Sequence, residues 1–303
     1  MNAMLYVLTI IIWGTTWIAL KWQLGVVAIP VSIAWRFLLA SLVLFAIMAV
    51  RKQWQRPRGV AWRLILAQGL CLFCLNFLCF YYASQWIPSG LVSVVFSTST
   101  LWVALAARIF LGRPLSAQVL GGGAVGLAGI LALFWPQLSA PMAGTSTLLG
   151  LGLALAGTLC FSTGNLLSSR LQALGHTPLQ TNAWAMAVGT IILLVGSAAS
   201  GQTFAIDTSP RYVAALLYLA LIGSVIGFTV YLMLVGRIGP ERAAYSTVLF
   251  PVVALNISVL YEGYHWTPVA LFGLLLVMAG NVLVFRKPKA NRPPLPIVES
   301  TVR

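Results

Sequence analysis

Acidic side chains are nearly missing from this chain. Among 303 residues there are four, Asp207, Glu241, Glu262 and Glu299, and all charged residues together make up 7%. An ordinary soluble domain is roughly a quarter charged, so a soluble enzyme or binding module is excluded. Histidine is as scarce, with only His176 and His265. No His-Glu-x-x-His or Gly-x-Ser-x-Gly occurs, so the sequence offers neither metal ligands nor a nucleophile–base pair for an intramembrane enzyme. The four cysteines, Cys71, Cys74, Cys79 and Cys160, lie in apolar runs. Cys71-x-x-Cys74 has redox or metal spacing, but without a histidine in the runs it reads as buried apolar cysteine. Alternation of polar and apolar residues is missing, which argues against a membrane β-barrel. No catalytic residue, metal site or cofactor is expected.

What the chain has is apolar length. Hydrophobic residues make up 60% of it. Ten runs, near 4–22, 31–50, 63–83, 89–110, 118–136, 148–170, 181–200, 212–235, 242–261 and 268–286, each approach the ~20 residues a helix needs to cross a bilayer. The first run lacks a basic start and a small-residue cleavage site, so it reads as a retained helix and not a leader. The net charge of +14 does not point to nucleic acid, because the basic residues sit at helix ends. With the N-terminus in the cytoplasm, fifteen of the eighteen Lys and Arg fall on the inner side, as the positive-inside rule requires. Lys21 and Arg211 fall outside and Arg36 lies within the second helix. Both termini are expected in the cytoplasm.

The chain also repeats itself. Leu120–Gly129 runs parallel to Leu271–Gly280 at a spacing of 151 residues, with Gly122 and Gly129 falling on Gly273 and Gly280. At a spacing of 148, Trp13, Thr16, Trp17 and Leu20 fall on Phe161, Gly164, Asn165 and Ser168, and Pro30 on Pro178. The expected organisation is a first half, 1–136, a linker, 137–147, a second half, 148–286, and a basic tail, 287–303. Five helices per half is an odd number, so the halves enter the membrane from opposite sides. Inverted repeats of this kind exchange conformations around a site at their seam, the architecture of many secondary transporters.

On these residues the chain resembles the drug/metabolite transporter superfamily, EamA type, and within it the bacterial amino acid exporters of the YddG, aromatic amino acid exporter, type. The resemblance rests on Trp13-Gly14-Thr15-Thr16, on Phe110-Leu111-Gly112-Arg113-Pro114-Leu115 and on the paired glycines. It implies an inner-membrane exporter of bacteria that acts on amino acids or related metabolites, with a multidrug or nucleotide-sugar-like carrier as the alternative on the same fold. It implies membrane lipid as surroundings, no nucleic acid, and a monomer sufficient for transport. Two positions depart from the family pattern. Arg113 replaces an acidic residue, its counterpart in the second half being Tyr264 with Glu262 out of register, and Thr100 stands where Pro251 stands in the second half. The sequence therefore supplies no proline to bend the fourth helix.

Polar and aromatic residues inside the runs define a candidate cavity. Trp13, Thr16 and Trp17 share one face of helix 1 at i, i+3 and i+4, and Phe161 and Asn165 occupy the matching face of helix 6. Asn76 and Phe80 in helix 3, Thr98, Ser99 and Trp102 in helix 4, Phe228 and Tyr231 in helix 8, and Tyr245 and Phe250 in helix 9 complete it. Ring faces attract an ammonium group, and hydroxyls and amides bond a carboxylate, so the set suits a zwitterion with an apolar side chain. Arg36 has two readings: an anchor for a substrate carboxylate, or, the one favoured by residue type alone, a side chain snorkelling to the surface or held by a carbonyl. The glycine rows read as packing surfaces. No carboxylate lies inside a run, which argues against carboxylate-based proton antiport.

Overall fold

The computed structural model describes residues 2–54, 56–112, 117–138 and 144–285, and within them the chain is helical, with no strand. We number the helical segments in chain order: α1 (Asn2–Trp22), α2 (Ile29–Val50), α3 (Val60–Trp86), α4 (Ser89–Ser97 and Ser99–Leu111), α5 (Ala117–Leu138), α6 (Gly144–Ala173), α7 (Pro178–Ala199), α8 (Pro210–Ile238), α9 (Arg242–Tyr261) and α10 (Pro268–Phe285). By length and apolarity, eight helices among the described residues suffice to cross a bilayer. The pieces of α4 reach that length only as one bent span, and α10 is shorter. The ten crossings expected from the sequence therefore turn on α4 and α10. The motif at Arg113–Leu115, the linker residues 139–143 and the basic tail lie outside the described residues.

Helix starts follow local chemistry. Proline sits in the first turn of α2, α7 and α8, where its missing N–H costs nothing. Thr177 and Gln180 form a capping box on α7, and the Ser209 hydroxyl accepts from Tyr212 N on α8. The start of α4 is capped from the other half of the chain. The Glu262 carboxylate, just after α9, accepts from Ser89 N at 3.1 Å and from Ser89 Oγ at 2.6 Å. An anion there meets both the free N–H groups and the positive end of the helix dipole.

Two helices break part-way along their length. α4 bends by 40° at Thr98, although the sequence supplies no proline there. The hydroxyls of Ser97 and Thr98 bond back to Val94 O and Val95 O at 2.7 and 2.6 Å, and such back-bonding bends helices. α9 contains a 3-10 stretch, Tyr245–Leu249, just before Pro251, whose ring cannot sit beneath a regular turn. The two irregular stretches meet, with Ser99 Oγ 3.0 Å from Thr247 Oγ1. α3 and α8 each carry a π stretch, Cys71–Leu75 and Tyr218–Ile226.

Packing is reciprocal between the halves: α5 on α10, α2 on α7, α1 on α8 and α9, α6 on α3 and α4. The α5–α10 seam is antiparallel and built on backbone contact. A Cβ on Gly122 would stand 2.6 Å from Gly280 O, and one on Gly273 would stand 2.7 Å from Gly129 O. Swapping each glycine for its repeat counterpart turns the first contact into the second. That is the signature of an isologous, two-fold interface.

The loops sort to two ends. Gln180 Nε2 donates to Gln53 O and Arg237 to Asn2 Oδ1, which joins the α2–α3 and α6–α7 loops and the α8 end to the N-terminus. This is the end rich in Lys and Arg. The loops after α1, α3, α7 and α9 meet at the opposite end, around a vestibule.

Candidate functional site

α1 runs through the centre of the site, and each of its turns faces a different layer. Nearest the basic end, Trp13 is wedged among rings. Its centroid is 4.7 Å from Phe228, 4.8 Å from Tyr231 and 5.9 Å from both Phe161 and Phe250. Its Nε1 donates to Gly223 O at 3.0 Å. This approach needs glycine on α8, because a Cβ on Gly227 would fall 2.5 Å from Trp13 Nε1. Asn165 Nδ2 donates to Tyr231 OH at 3.0 Å, and Phe96 meets Phe161 at 4.5 Å. Together these buried side chains form a plug.

One turn along α1 lies a cavity of about 40 Å³, lined by Trp13, Thr16, Trp17, Leu20, Arg36, Asn76, Phe77, Phe80, Phe96, Phe161 and Phe228. Trp17 meets Phe80 and Phe96 edge-on, each at 5.4 Å. A space of that size holds a few waters, far less than the roughly 300–1,000 Å³ of a ligand pocket. One further turn along, the vestibule has a volume of about 560 Å³ and is lined by Lys21, Trp22, Gln85, Asp207, Arg211, Tyr261 and Glu262 among others. The Arg211 guanidinium stacks 5.0 Å above the Trp22 ring, and Lys21 Nζ donates to Ser84 O.

Arg36 does not snorkel. It is buried with its α2 neighbours and lines the deep cavity. Its Nε donates to Ser224 Oγ at 2.9 Å, and its carbon centre lies 4.4 Å over the Phe77 ring. The π stretch of α8 makes this contact possible: Ser224 Oγ bonds back to Leu219 O, five residues earlier, which turns the hydroxyl toward α2. The Tyr81 hydroxyl is the other polar neighbour, and it donates to Gln23 Oε1.

The residues singled out from sequence therefore fall into three groups. Trp13, Thr16, Trp17, Arg36, Asn76, Phe80, Phe161 and Phe228 line the cavity. Asn165, Tyr231 and Phe250 belong to the plug. Thr98 and Ser99 sit at the α4 break, and Trp102 and Tyr245 lie outside the lining. Leu20, Phe77 and Phe96 line the cavity without having been singled out.

Residues 1–135 and 148–286 each match the EamA-like transporter family. The chain belongs to that family. Among its relatives, the "Probable amino-acid metabolite efflux pump" of Escherichia coli (strain K12) is 25% identical over 301 residues, covering 95% of this chain and 97% of the relative. The "Probable terminal-alkyne amino-acid exporter" of Streptantibioticus cattleyicolor is 27% identical, covering 94% of each. The "Uncharacterized inner membrane transporter YedA" of E. coli K12 is 28% identical, covering 92% of this chain and 90% of the relative. A solved structure titled only "Crystal structure of protein" matches with a TM-score of 0.67 at 16% identity, over 94% of this chain and 96% of that one, which shows a shared fold. This EamA chain is thus a multi-pass inner-membrane transporter.

Proposed function

We propose that the protein exports neutral amino acids, aromatic ones included, by alternating access of two inverted five-helix halves. The observation that carries this reading is the deep cavity on the seam between residues 1–136 and 148–286, walled chiefly by rings, with a hydroxyl, an amide and the Arg36 guanidinium. The reciprocal α5–α10 contact supports a two-fold relation between the halves. Ten crossings would put both termini at the basic end, which is cytoplasmic by the positive-inside rule. The vestibule then faces outward, the plug seals the inner side, and the narrow cavity widens as the halves rock. Two relatives, named a probable amino-acid metabolite efflux pump and a probable terminal-alkyne amino-acid exporter, support amino acids or their derivatives as the substrate class. One chain holds the whole cavity, so a monomer suffices.

The test is flux through the purified protein in lipid vesicles. Labelled phenylalanine, tryptophan and leucine should exchange saturably, while a nucleotide sugar and a hydrophobic cationic dye should not. Movement of the dye or the sugar alone would replace this reading with a drug or nucleotide-sugar carrier.

A further inference from the structure

The wall of the deep cavity contains a charge that no described carboxylate neutralises. Arg36 is 3% exposed, and its neighbours include Ser224, Gly223, Phe37, Phe77 and Tyr81. Among the described residues no carboxylate lies against it. An unpaired buried charge is strongly unfavourable. A guanidinium also carries five N–H donors in a planar fork, more than a serine and a tyrosine take up. Two further residues of the same wall each carry a buried polar atom without a hydrogen-bond partner among the described residues: the donor Trp17 Nε1 and the acceptor Asn76 Oδ1. Trp17 is 7% exposed and Asn76 1%.

We propose that Arg36, Trp17 and Asn76 form the head-group site for an amino acid, and that a free carboxylate is what admits a substrate. The inference rests on amino acid transport as proposed above. As the cavity opens, the fork of Arg36 meets both carboxylate oxygens, a geometry a point charge cannot reproduce. Trp17 Nε1 adds a donor to the carboxylate, and Asn76 Oδ1 accepts from the ammonium. The faces of Phe80, Phe96 and Phe161 take the side chain and attract the ammonium. The same arginine repels amines that bring no carboxylate, so it excludes as well as selects.

The experiment compares L-phenylalanine with L-phenylalaninamide, which keeps the ring and the amine and lacks the carboxylate. Vesicles carry the full-length wild type, Arg36→Lys or Arg36→Met. Wild type should prefer the acid. Arg36→Met should lower phenylalanine flux roughly ten- to hundredfold without lowering amide flux, and Arg36→Lys should fall between. Equal flux of acid and amide through wild type, or undiminished phenylalanine flux through Arg36→Met, would overturn the site. A second measurement is thermal protection of the solubilised protein by 3-phenylpropionate and by chloride. Protection of wild type by the carboxylate that is absent in Arg36→Met supports the site even if no amino acid crosses the membrane, a result that would sink amino acid transport alone. Equal protection by chloride, or no acid flux and no protection, overturns the site. If Arg36→Met does not fold, Arg36→Lys carries both comparisons.

Discussion

Trp17 and Trp102 look alike in sequence, each inside an apolar run next to hydroxyl residues, and the structure separates them. Trp17 lines the deep cavity against Phe80 and Phe96, whereas Trp102 is half-buried outside it. Aromatic anchors in a binding pocket carry much of the contact energy. Trp17→Ala should therefore cut the initial rate of phenylalanine flux by roughly tenfold or more, with Trp102→Ala close to wild type. Vesicle assays at matched protein content decide this, and equal rates for both variants would remove Trp17 from the site. The α1 face was legible because α1 is a regular helix, so i, i+3 and i+4 share a side. Trp102 lies beyond the 40° bend of α4 and outside the lining of this cavity. Phe96 carried no signal because every residue of Ser89–Ser97 is buried, so nothing sets the side facing the cavity apart from the sides facing other helices. Phe77 follows the π stretch of α3, where a helix turns out of its 3.6-residue register.

At the scale of helices, the glycine rows could be read as packing surfaces, but their individual roles could not. Gly121, Gly122 and Gly123 are consecutive, yet a Cβ on Gly121 meets nothing within 4 Å while one on Gly122 strikes the α10 backbone. Gly121→Ala should be neutral or stabilising by about 0.5–1 kcal/mol, the ordinary helix gain. Gly122→Val should destabilise by about 1–3 kcal/mol through overpacking. Reversible unfolding in detergent measures both, and equal midpoints would mean that the seam is looser than described. The break of α4 was invisible for a different reason. It arises from hydroxyl back-bonds at Ser97 and Thr98, and serine or threonine in a membrane helix packs without bending it just as often.

For the whole molecule, the placement of acids governs energetics. Asp207 lies in an exposed loop and Glu262 is occupied in capping α4, and no described carboxylate sits within a helix interior at membrane depth. A membrane-depth proton relay built on carboxylates is therefore missing from the described residues. Purified protein should move phenylalanine down its own gradient with no pH or sodium gradient imposed. The net-neutral zwitterion should respond little to voltage, against ~2.3 kcal/mol per 100 mV for a transported charge. Flux that stops when a protonophore is added would require coupling through another group. The all-helical membrane architecture was legible because long apolar runs are written in the sequence; the state of the gates was not, because it depends on how rings from α6, α8 and α9 nest around Trp13.

The two spaces along α1 differ more than tenfold in volume, about 560 Å³ against about 40 Å³. In the proposed orientation this gives the protein a pharmacology with a side. An amino acid extended by a rigid, bulky tail would seat in the wide outer chamber, against Trp22 and Tyr261, and be unable to descend past Trp17. Held there, it would prevent the outer ends of the helices from converging. Such a wedge would inhibit when supplied from outside and be inert when supplied from the cytoplasm.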